Sequence, residues 1–254
     1  MSAVLPDRAG LAAAGELAEL DDVEFGVRLL VNTPTHAGRD AELLRHWART
    51  ADAFGAALPP VKASARIVES EDGLARGLLA RYSSRPVPTV ELFTDTLALA
   101  EELVDRLGWR HWYPAGSVRA AAVAHEAVHQ QLHHGPAKKS LKRALGHVVL
   151  RAGRHTVHGH VAGADEIAAH SHARAVCGLG RSPLLLTAAL ALAVEPPPRP
   201  PAGFPARKKE VTPWASSSFS SWRPVSPRCS PVNCPPPSRS SSSASSSPSS
   251  PAHR

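Results

Sequence analysis

The chain has 254 residues, a length that allows one or two domains, and a formal net charge of +7. Eight lysine or arginine residues and a single acid lie from Pro196 onward, so residues 1–195 carry no net charge. This distribution argues against a basic nucleic-acid-binding face on the body of the protein. The three cysteines are too few for a disulfide framework.

Neither a secretory signal nor a membrane span is indicated. Residues 1–15 lack the continuous apolar core of a signal peptide. The longest apolar run, residues 184–194, has 11 residues, whereas a membrane-spanning helix needs about 20. We therefore expect a soluble protein of the cytoplasm.

The first predicted elements are a long helix, two strands and a second helix. Apolar residues recur at helical spacing over residues 38–58, and Pro59-Pro60 ends that helix. Residues 61–68 and 89–93 alternate as strands do. A helix with one apolar face follows over residues 94–107 and ends at Gly108. We therefore predict an N-terminal helical segment, residues 1–60, and a domain that begins at residue 61.

Helices dominate the second half of this domain, which we extend to residue 195. The sequence predicts a helix over residues 117–134, a basic helix over 140–150 and a turn over 153–163. A further helix is predicted to begin near Asp165 and to end at Gly178 or Gly180. Ser182-Pro183 is typical of the start of another helix. The predicted class is α+β, mainly helical, with a small sheet.

Residues 196–254 are dominated by proline and serine. Such a composition buries too little apolar surface to offset the entropy of ordering the chain. We predict a disordered tail.

Residues 125–129 read His-Glu-Ala-Val-His, an H-E-x-x-H motif inside the helix predicted over residues 117–134. Histidines four positions apart lie on one helical face, so His125 and His129 can reach the same metal ion. Glu126 projects to the side of this pair, where its carboxylate could take a proton from an attacking water. The motif indicates metal-assisted hydrolysis.

A catalytic zinc ion usually has three protein ligands and keeps one position for water. Our candidate for the third ligand is Glu166, which lies 37 positions beyond His129. This separation lets the chain turn back and pack a second helix against the first. His170, one turn after Glu166, faces the same way and could hydrogen-bond to a ligand. The other interpretation of Glu166 is a helix N-terminal acid favoured by the helix dipole.

These residues resemble the gluzincin branch of the zincin metallopeptidases, in which a glutamate follows the H-E-x-x-H helix. Residues 166–170, Glu-Ile-Ala-Ala-His, are similar to the E-x-x-A motif of several bacterial members, although the family usually has Asp or Asn where His170 stands. The resemblance covers residues 88–180 and implies a zincin-like catalytic core, a Zn²⁺ cofactor and a peptide or protein substrate. It further implies that His125, His129 and Glu166 bind zinc and that Glu126 is the general base.

Two other classes of function stay open. Glu126 and His129 also satisfy the E-x-x-H pattern of di-iron helical bundles, which need a second such pair. A non-enzymatic helical adaptor with an inert motif is the other class, because no segment shows a clear substrate-binding edge strand. Further candidates for a ligand or an oxyanion donor are His155, His158, His160 and Tyr113.

Overall fold

Helices make up most of the residues that the computed structural model describes, namely residues 8–61, 65–133 and 135–194. The helices are α1 (Arg8–Leu17), α2 (Asp22–Val31), α3 (Ala41–Ala56), α4 (Gly73–Arg76), α5 (Thr94–Arg106), α6 (Ser117–His133), α7 (Pro136–Leu145), α8 (Ala164–Cys177) and α9 (Pro183–Val194). The strands are β1 (Arg66–Ser70), β2 (Ala80–Ser83), β3 (Thr89–Phe93), β4 (Val148–Ala152) and β5 (His155–His158).

The predicted class of fold is confirmed at this level: the described residues are mainly helical and include a small sheet. No helix in this part of the chain combines the length and apolar character needed to cross a membrane. The tail predicted to be disordered, residues 196–254, lies outside the described residues.

The larger sheet has three strands in the order β1-β3-β2. β3 is central; it pairs in parallel with β1 and antiparallel with β2. The strand predicted over residues 89–93 is confirmed as β3, and the strand predicted over 61–68 begins later, at Arg66. β2 was missed, because its four residues, Ala-Arg-Tyr-Ser, are too few to show an alternating pattern.

Residues 140–150 do not form the single predicted helix. α7 begins earlier, at Pro136, and ends at Leu145, where Gly146 adopts a left-handed conformation with φ of 66°. The β-branched residues Val148 and Val149 then open β4, which pairs antiparallel with β5. The prediction of a turn over residues 153–163 is therefore also wrong, since β5 lies within it.

α8 lies at the centre of the helical packing, in contact with both α3 and α6. The small side chains Ala168, Ala169 and Ala173 on α8 are completely buried. The close approach of α3 and α8 also depends on Gly55 of α3, where an added Cβ would lie 2.0 Å from the backbone oxygen of Ala168. This packing fixes the position of α8 beside the helix that carries the H-E-x-x-H motif.

Candidate metal centre

α6 presents the two histidines of the motif on one face. The Nε2 atoms of His125 and His129 lie 2.9 Å apart. His133, a further four positions along, continues the same face, and its Nε2 lies 3.2 Å from His129 Nδ1. The row follows from the helical period, which places residues i, i+4 and i+8 almost in line.

Glu166, in the first turn of α8, meets this pair of histidines with both carboxylate oxygens. Its Oε1 lies 3.2 Å from His129 Nε2, and its Oε2 lies 3.4 Å from His125 Nε2. A tetrahedral zinc ion with bonds of about 2.0–2.1 Å separates its ligand atoms by roughly 3.3–3.4 Å. The predicted ligands His125, His129 and Glu166 therefore converge at separations that fit one ion.

Burial and the charge of the partner have opposite effects on the pKa values of His129 and Glu166. The side chain of His129 is 1% exposed and that of Glu166 is 17% exposed. Burial alone would lower the pKa of His129, but the negative charge of Glu166 outweighs it and raises that pKa to about 9. Burial would likewise raise the pKa of Glu166, yet the neighbouring His129 and His125 hold it well below its usual range. Glu166 is thus ionised and the pocket attracts positive charge.

Glu126 lies beside the cluster rather than within it. Its side chain is buried, and its Oε2 accepts a hydrogen bond of 3.0 Å from the backbone N–H of Tyr82 on β2. Neither of the metal-capable groups among the described residues includes Glu126. The carboxylate is nevertheless close enough to contribute to the raised pKa of His129.

The ring of His170 packs against the ring of His125, one of the predicted ligands. The centroids of the His170 and His125 rings lie 4.3 Å apart, with the rings tilted by 51°. Burial, together with the nearby His125, lowers the pKa of His170 well below its usual range, so this imidazole is neutral. The hydrogen bond that we predicted from His170 to a ligand stays a prediction.

A second group of possible ligands adjoins the first and was not predicted from the sequence. His129, His133 and Asp165 bring three ligand atoms together, with His133 Nε2 lying 3.5 Å from Asp165 Oδ2. Asp165 and Glu166 are consecutive, so α8 supplies one carboxylate to each group. The only sequence signal for this second group is the continued four-residue spacing to His133, beside a pair of adjacent acids.

The remaining candidates lie elsewhere. Tyr113 is buried, and its hydroxyl donates a hydrogen bond of 2.7 Å to the backbone oxygen of Ser182. These contacts favour a role in packing for Tyr113 over the predicted role of an oxyanion donor. Neither metal-capable group found among the described residues includes the histidines of the β4–β5 region, namely His155, His158 and His160.

Comparison with known proteins finds no matching family model, no matching curated protein and no matching solved structure. The resemblance to gluzincins therefore depends on the motif and on the geometry of the described side chains.

Proposed function

We propose that this protein is a zinc-dependent hydrolase of the metallopeptidase type. The observation that carries the proposal is the convergence of His125, His129 and Glu166, from two helices distant in sequence, with Glu126 beside them. Two imidazoles and one carboxylate are a common ligand set of catalytic zinc. In such a site zinc acts as a Lewis acid and makes water available as a nucleophile near neutral pH.

Glu126 has the chemistry of a general base in this proposal. Its carboxylate takes the proton of the attacking water and then returns it to the leaving amine. The hydrogen bond from Tyr82 N–H fixes one carboxylate oxygen, Oε2. An acceptor held in this way loses little rotational freedom when it meets the water, which favours proton transfer.

The outer edge of β2 is the proposed place for the substrate. In an antiparallel pair alternate residues turn their backbone groups away from the partner strand, and the N–H of Tyr82 meets Glu126 instead of β3. An extended peptide that lies along this edge, without using the N–H of Tyr82, would lie beside the Glu126 carboxylate. Strand addition of this kind is a common mode of peptide recognition.

The position of Glu126 also favours this proposal over a di-iron centre. A di-iron bundle would use Glu126 and His129 together as ligands. Glu126 instead accepts a hydrogen bond from a strand and belongs to neither group of possible ligands among the described residues. An inert scaffold is distinguished from the hydrolase by its metal content and turnover.

The test is to measure zinc by elemental analysis of the purified full chain and hydrolysis of a mixture of fluorogenic peptides. Glu126→Gln should keep the zinc and lose at least about a hundredfold in turnover, since general-base catalysis contributes roughly 10²–10⁴-fold. His125→Ala and Glu166→Gln should lose the zinc. The control is Glu42→Gln, an exposed position on α3, which should change neither. Zinc retained in both ligand variants, or full turnover in Glu126→Gln, would contradict the proposal.

A further inference from the structure

We propose that the second group of side chains, His129, His133 and Asp165, is a separate site for a divalent cation. It shares His129 with the first site, so the two ring nitrogens of that histidine would each bind one ion. The inference rests on the proposed function in one respect: it takes His129 Nε2 to be a ligand of the first ion.

Two of the three separations between ligand atoms in the second site are similar to those in the first. His133 Nε2 lies 3.2 Å from His129 Nδ1 and 3.5 Å from Asp165 Oδ2. In the first site the corresponding separations are 2.9 to 3.4 Å. Both sets lie close to the spacing of roughly 3.3–3.4 Å between neighbouring ligands of a tetrahedral zinc ion.

The ligand set indicates the kind of cation. Two imidazole nitrogens and one carboxylate suit zinc or a similar transition metal, whereas magnesium and calcium prefer oxygen ligands. When this ion binds, the Nδ1 proton of His129 is released to solvent and the imidazolate bridges two cations. The first ion displaces the proton of an imidazolium, whereas this ion must displace the much less acidic proton of a neutral imidazole, so the second site binds more weakly than the first.

Access to the second site is from the side of His133. The side chain of His129 is 1% exposed, whereas those of His133 and Asp165 are 27% and 15% exposed. An ion can thus enter next to His133, and water can complete its coordination. Removal of His133 or Asp165 leaves the ligands of the first site in place.

The experiment is equilibrium dialysis of the full chain against zinc, followed by elemental analysis. His133→Ala and Asp165→Asn should each bind one zinc fewer than the wild type while retaining the tight zinc of the first site. His46→Ala removes an exposed histidine on α3 and should bind as much as the wild type. Since the difference between variants is measured, zinc bound elsewhere on the chain cancels.

The possible outcomes separate the two proposals. A wild-type chain that binds no zinc at any concentration overturns both. A wild-type chain that binds a single zinc, lost in His125→Ala, supports the hydrolase and overturns the second site. An unchanged zinc stoichiometry in His133→Ala also overturns the second site. A wild-type stoichiometry of one needs no variant, and it therefore overturns the second site even if a substitution prevents folding.

Discussion

His129 connects the two groups of ligands and is the most constrained residue of the centre. Its side chain is buried, yet the negative charges of Glu166, Glu126 and Asp165 all favour the imidazolium over the neutral ring. Without a metal ion, a proton on His129 is therefore the positive charge that these carboxylates stabilise. A zinc ion would take the place of that proton.

Zinc binding should consequently release about one proton from His129 at pH 7. The pKa of His129 in the metal-free protein is about 9, so the ring is protonated at pH 7 and must lose its proton to become a ligand. Below pH 9 the apparent affinity should rise with pH by close to tenfold per unit for this one proton, and it should level off above pH 9. Isothermal titration calorimetry in two weakly coordinating buffers with different ionisation enthalpies measures the release. Identical binding enthalpies in the two buffers would contradict it.

At the scale of elements, helices with a regular apolar pattern were predictable, whereas the short strands were predictable only in part: β3 was predicted and β2 was not. The helix predicted over residues 94–107 is α5 and the motif helix is α6, because thirteen or more residues show the helical period clearly. The strand β2, which supplies Tyr82, has four residues and no pattern of its own. Glu166 could be chosen as a candidate ligand because it follows the motif in sequence. Its contact with His125, however, depends on how α8 packs between α3 and α6, and no local sequence pattern encodes that packing.

Gly55→Ala should weaken both the fold and the zinc site. The new Cβ would lie 2.0 Å from the backbone oxygen of Ala168, so α3 and α8 must move apart. Overpacking of a core usually costs about 1–3 kcal/mol. Because Glu166 lies on α8, this displacement should also lower zinc affinity. Urea unfolding measures the change in the free energy of unfolding, and competition with a zinc-binding dye measures the change in zinc affinity.

Gly15→Ala is the matched control for this substitution. Gly15 lies inside α1, and no atom lies within 4 Å of the position that its Cβ would take. Alanine in a helix interior stabilises by roughly 0.5–1 kcal/mol relative to glycine, so we expect slightly higher stability and unchanged zinc affinity. Equal effects of the two substitutions would show that the α3–α8 contact does not position the site.

At the scale of the whole described chain, a network of ion pairs joins the N-terminal helices to the helices that follow the site. Asp22 of α2 accepts hydrogen bonds from Arg174 at 2.6 Å, Arg181 at 2.9 Å and the backbone N–H of Ser182 at 2.8 Å. Arg174 also contacts Asp52 of α3 at 3.1 Å. α8 is thus tied to α2 and α3 at the end opposite Glu166, so these two helices support the position of α8. The boundary predicted at residue 60 stays a prediction.

Asp22→Asn should destabilise the protein by about 1–3 kcal/mol. The side chains of Asp22, Arg174 and Arg181 are 14%, 24% and 16% exposed, so the loss should be smaller than the roughly 3–5 kcal/mol for breaking a fully buried pair. An asparagine amide keeps one acceptor oxygen, but it removes the counter-charge of Arg181 and leaves Arg174 paired with Asp52 alone. Urea unfolding of the metal-free chain at low ionic strength measures the change, which should shrink as salt is added.

The neighbouring Asp21→Asn provides the control, because it makes the same chemical change one residue away. Asp21 caps α2, with its side chain accepting a hydrogen bond of 2.8 Å from the backbone N–H of Glu24. Asparagine caps helices about as well as aspartate. The free energy of unfolding of this variant should therefore lie within about 0.5 kcal/mol of the wild-type value, as it does for most exposed substitutions. If the two variants are equally stable, the network contributes nothing beyond a cap, and packing contacts such as that of α3 with α8 hold the N-terminal helices in place.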